Sequence, residues 1–84
     1  MSTFYYVVYF PVTKEYLSES LDASLPTEAK KIYSLDEAKE LAINPQYNSF
    51  LLEFLILRLT QVSDHEFVSE LIYQSPPSEV LQSL

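Results

Sequence analysis

The stretch NSFLLEFLILRLTQV, residues 48–62, is the most apolar part of the chain, and its reading decides the fold. A membrane-crossing helix needs about 20 consecutive apolar residues. Glu53 interrupts this run and Arg58 follows it closely, so the segment is too short to be an anchor. Wound as a helix, it gathers Ser49, Glu53 and Thr60 on one narrow polar stripe, and its leucines favour that form. Extended, it sets Phe50, Leu52, Phe54 and Ile56 on one face. Leu51, Leu55, Leu57 and Leu59 fall on the other, with Glu53 among them. A strand that is apolar on both faces belongs in the middle of a sheet covered on both sides.

The segment FYYVVYF, residues 4–10, decides between the two. Its aromatic and β-branched residues are those of a strand. It too is apolar on both faces, with Phe4, Tyr6, Val8 and Phe10 against Tyr5, Val7 and Tyr9. A lone strand leaves its backbone N–H and C=O groups unpaired, so it requires a neighbour, and 50–61 is the only long candidate. The expectation is a strand at 50–61 paired with 4–10, a buried helix being the alternative.

Pro11 ends the first strand. VTKE then reads as a turn. EYLSESL, 15–21, returns as a second hairpin strand or forms a short helix capped by Thr13. DASLPTEAKK, 22–31, is loop-like. In SLDEAKELAINP, Ser34 and Glu37 have the spacing of a capping box. Asp36 and Glu37 suit the first turn, and Leu35, Ala38, Leu41 and Ala42 fall on one stripe. Asn44 and Pro45 stop it, which predicts a helix at 35–43. SDHEFVSELIYQSPP repeats the logic: Ser63 and Glu66 are spaced as a second box, Phe67, Val68, Leu71 and Ile72 follow one helical face, and Pro76 and Pro77 end the pattern. That predicts a helix at 64–74. SEVLQSL closes the chain with about one further helical turn.

The predicted fold is α+β. It is a single domain over 1–75, with an antiparallel-type sheet built on strands 4–10 and 50–61 and with helices 35–43 and 64–74, followed by a short segment at 76–84. In its layout, YYVVYF…EYL…AKKIYSLDEAKELA…FLLEFLIL, the chain resembles many short bacterial and bacteriophage proteins. That likeness of layout brings no functional residues with it.

Composition narrows the chemistry. With 84 residues the core is small, because a chain of this size buries only about 60–65% of its unfolded surface. There is no cysteine, which excludes disulfides and thiolate metal sites, and no glycine, which excludes a glycine-rich phosphate loop. Without glycine the turns are expected to rely on Asn, Asp, Ser and Pro. Twelve acids against five bases give a net charge of −7, which disfavours nucleic acid and anionic membranes as direct partners. The opening MSTFYYVVYF has neither a basic region nor a small-residue cleavage site, so a cytoplasmic location is expected.

The single histidine, His65, sits between Asp64 and Glu66. Neighbours on a helix splay apart, and a zinc site needs three or four converging ligands, so a solvated histidine is the simpler expectation. No residue is singled out as catalytic, cofactor-binding or metal-ligating. The seven tyrosines, among them Tyr5 and Tyr9, provide the amphipathic surface enriched at protein interfaces. Beyond Arg58 there is no base, while Asp64, Glu66, Glu70 and Glu79 add four negative charges; Glu15, Glu19, Asp22 and Glu28 form another baseless stretch. A solvated face is the plain reading. The sharper one is an acidic surface that docks on a basic groove.

The expectation is therefore a small, non-enzymatic, protein-binding module with Asp64, Glu66, Glu70, Glu79, Tyr5 and Tyr9 as contact residues. Its partner would be a basic nucleic-acid-binding protein. Small acidic, aromatic-rich phage inhibitors that imitate DNA or block CRISPR machinery are similar in composition, an analogy of class only. The first alternative is a self-associating structural or regulatory subunit, a homodimer formed through a strand edge or the tyrosine face; an enzyme is the third and least favoured reading.

Overall fold

A computed structural model describes residues 3–18 and 29–83. Four strands form one antiparallel sheet: β1 (Thr3–Phe10), β2 (Glu15–Tyr16), β3 (Leu55–Gln61) and β4 (Phe67–Gln74), in the order β2-β1-β3-β4. Two short helices, α1 (Leu35–Ala42) and α2 (Ser78–Gln82), complete an α+β layout with little helix.

The pairing expected between the two apolar segments is present. β1 and β3 run antiparallel, with Val8 opposite Ile56 and Val7 opposite Leu57. The strand is shorter than predicted, however, covering Leu55–Gln61 rather than 50–61. Phe50 is exposed and Leu51 takes φ 50°, a left-handed backbone that a strand cannot continue through. Buried Asn48 organises this approach. Its side-chain amide donates to the Ala42 and Leu52 carbonyls at 2.9 and 3.0 Å, and its side-chain oxygen accepts from Leu52 N–H at 2.8 Å.

The helix predicted at 35–43 forms over Leu35–Ala42. Ser34 Oγ accepts from Glu37 N–H, and Ala38 and Ala42 are buried against the sheet. The hairpin expected after Pro11 forms as well, although β2 is only Glu15–Tyr16. Leu17 extends that edge by donating to the Val8 carbonyl, and Ile32 completes it by exchanging two hydrogen bonds with Tyr6. The remainder of the strand expected at 15–21 lies largely outside the described residues.

The helix predicted at 64–74 is instead strand β4, a correction with a clear physical cause. Ser63 and Glu66 have capping-box spacing, but they close a hairpin: each N–H donates to the other's carbonyl. Beyond the turn, the ladder pairs Gln61 with Phe67 through Leu57 with Leu71, and then shifts so that Ile56 faces Tyr73. This bulge leaves Ile72 as an extra residue and breaks the alternation of the strand. An interrupted period of two then imitates a helical face. The aromatic and β-branched content of FVSELIY is that of a strand.

The core lies on one side of the sheet. Val8, Phe10, Ile56 and Phe54 pack with Ile32, Ala38, Ala42 and Leu81. Leu81 brings the C-terminal helix into this same core; the turn expected in 76–84 is α2. A smaller cluster on the opposite side joins Val7, Leu59 and Ala29. The glycine-free turns use Asn and Ser as expected, at Asn44, Asn48 and Ser63, while the positive φ that glycine would favour falls to Lys14 and Leu51.

Candidate protein-binding surface

One face of the sheet carries α1 and α2. The other presents Tyr5, Val7 and Tyr9 of β1, Leu55, Leu57 and Leu59 of β3, and Phe67, Ser69 and Leu71 of β4, because alternate residues of paired strands share a face. Val7 and Leu59 are buried there, but Phe67 and Leu71 are 47% and 53% exposed. Between Tyr5, Tyr16, Lys31, Leu57, Leu59 and Phe67 lies an open hollow of about 490 Å³.

Tyr5 and Tyr9, singled out from the sequence, both lie on this face. The Tyr5 ring meets Phe67 edge-on with centroids 6.2 Å apart, and Lys31 Nζ stands 5.3 Å from the Tyr5 centroid. Tyr9 tilts against Tyr16 at 4.9 Å. Burial pushes the Tyr16 phenol above its ordinary pKa, and neighbouring Tyr9 adds to the rise.

The four acids are not brought together. Asp64 and Glu66 are exposed at the β3–β4 turn, whereas Glu79 is on α2, beyond the far end of β4. Glu70 lies mid-strand opposite Arg58 and forms an ion pair with it. The helical face that would have placed Glu66 and Glu70 side by side therefore does not exist, and Glu70 has a base beside it. Of the other acids noted in the sequence, Glu19, Asp22 and Glu28 lie outside the described residues. His65 is exposed in the turn. Among the described residues, no group of three His, Asp or Glu side chains could hold a metal ion, and no helix is long and apolar enough to cross a membrane.

Sequence reasoning missed β4 and with it Phe67, Ser69 and Leu71. Their spacing of two was the available signal. No protein family, no curated protein and no solved structure matches the chain.

Proposed function

We propose that the chain is a non-catalytic protein-binding module that docks through the outer edge of its sheet and the exposed Phe67 and Leu71 on the face opposite the helices. One observation carries this reading. Among the described residues β4 is the last strand of the sheet, and Phe67, Val68 and Leu71 on it are 47%, 55% and 53% exposed. Natural edge strands are usually blunted by charged side chains, by proline, by a covering element or by a bulge, and the β4 bulge lies beyond Leu71. The only charge in β4 is Glu70, and Arg58 matches it. An edge of this kind offers backbone hydrogen bonds and apolar side chains together, the combination used in strand addition. The tyrosine-lined hollow beside it adds aromatic contact surface.

Asp64 and Glu66 stand at the entrance to this edge, where negative charge speeds the approach of a basic partner more than it holds one. Inhibition of a nucleic-acid-handling protein is a narrower form of the same proposal, in which the acids steer and β4 binds.

The test compares partner capture by the wild-type chain, by F67S/L71S and by D64N/E66Q, offering host extract and a separately tagged copy of the chain. Capture should fall at least tenfold with F67S/L71S, and D64N/E66Q should only slow association. Full capture by F67S/L71S with loss in D64N/E66Q would move the site to the acidic turn and overturn the proposal.

A further inference from the structure

We infer that the partner of the β4 edge is the β4 of a second copy, paired antiparallel about a two-fold axis at Ser69. This rests on the binding-module proposal and sets a second copy at the edge in place of the basic partner described above.

The register follows from hydrogen-bond parity. Val62 N–H donates to the Glu66 carbonyl, so that pair is a bonded position of the β3–β4 ladder. Bonded and non-bonded pairs alternate in antiparallel sheets. Val68 and Glu70 therefore bond inward to β3, and Phe67, Ser69 and Leu71 turn their N–H and C=O groups to the outer edge. Among the described residues no strand pairs with that edge. Its regular part is bounded by the turn before Phe67 and by the bulge after Leu71. Ser69 is the midpoint of that stretch. A two-fold there uses every outward group, with Phe67 opposite the partner's Leu71 and Ser69 opposite the partner's Ser69.

The local charge pattern accommodates the same occupant. The whole chain carries −7, yet the edge is neutral because Arg58 offsets Glu70. In this register Glu70 faces the partner's Val68, so no like charges oppose one another directly. Phe67 meets the partner's Leu71 twice on the face opposite the helices, and that face continues across the axis. A contact built on a few edge residues falls in the small class of interfaces, below about 1,200 Å², that form weak, reversible complexes. The expected Kd is in the micromolar range.

The absence of native cysteine makes disulfide trapping clean. Bonded antiparallel pairs have Cα atoms about 5.5 Å apart, within disulfide reach. S69C should therefore cross-link to itself under mild oxidation. F67C or L71C alone should not, because each copy of the residue lies about 14 Å from its twin across the axis. A mixture of F67C and L71C should cross-link. In the cysteine-free chain, V68E should weaken the dimer about two- to thirtyfold by setting it against the partner's Glu70, and V68K should tighten it. Added salt should strengthen association of two −7 chains, whereas docking on a basic groove weakens with salt.

Cross-linking of L71C as fast as S69C overturns the pairing. A chain that stays monomeric at millimolar concentration also overturns it, but leaves the binding-module proposal standing if F67S/L71S still abolishes capture of another protein. If that capture is also unaffected, both fail.

Discussion

Arg58 and Glu70 face each other across the β3–β4 ladder and form an ion pair on the helix-bearing side of the sheet. The Arg58 guanidinium also lies 5.8 Å from the Phe4 ring. The pair leaves β4 without net charge. It also changes what removing Glu70 does: an acid on a baseless helix would be relieved by neutralisation, whereas this one loses a partner. With side chains 37% and 59% exposed, the pair is worth about 0.2–1 kcal/mol. E70Q should lower stability by that amount and E66Q should not, as checked by urea denaturation. An R58M/E70Q double-mutant cycle should give a coupling of the same size.

Phe54 is 2% exposed and packs 6.0 Å from Tyr73, in the core just before β3. Its N–H donates to Ser75 Oγ, which ties the start of β3 to the end of β4. F54A should cost about 3–5 kcal/mol. That is a large share of the roughly 5–15 kcal/mol expected of a domain. Denaturant titration showing a loss below about 1 kcal/mol would place the side chain outside the core.

Lys14 takes φ 58° in the β1–β2 turn, where its N–H donates to the Phe10 carbonyl at 2.8 Å. A left-handed backbone costs a residue with Cβ about 1–2 kcal/mol, and glycine avoids most of this. K14G should raise stability by up to about 1 kcal/mol, a gain readable as a higher Tm. A neutral or destabilising result would mean that the turn relaxes to ordinary φ in solution.

Tyr16 has its pKa raised above 10.0, first by burial and then by Tyr9. A group whose folded pKa lies above its unfolded one contributes stability below the unfolded value and loses it as pH rises through the folded value. Above pH 10 the wild-type chain should therefore lose stability more steeply than Y16F. Equal slopes in alkaline denaturation would show that the phenol is freely hydrated.

Much of this architecture was legible in residues 4–10, 34–45 and 50–61. Two-sided apolar strands demand each other, and the Ser34–Glu37 spacing is a local signal that the tertiary fold leaves alone. β4 was not legible because a bulge is a tertiary event. It sets Ile72 beside Leu71, and with Phe67 and Val68 apolar on opposite faces of the regular strand the run imitates one helical face. The acids were misplaced for the same reason, since their supposed face depended on that helix. Tyr5 and Tyr9 share one face of the sheet, as expected, because the strand carrying them was read correctly. Asn48 gave no warning; its value lies in the carbonyls of Ala42 and Leu52 that the fold brings to it.

The central claim is that β4 is a strand whose outer edge is open for pairing. Residue-resolved amide hydrogen exchange tests it most directly, run on the wild-type chain at low and at high concentration. Val68 and Glu70 should be protected in both. Phe67, Ser69 and Leu71 should exchange quickly in dilute solution and slow down together as concentration rises. Helix-like protection running continuously from 66 to 74, or Phe67, Ser69 and Leu71 already protected in dilute solution, would contradict it.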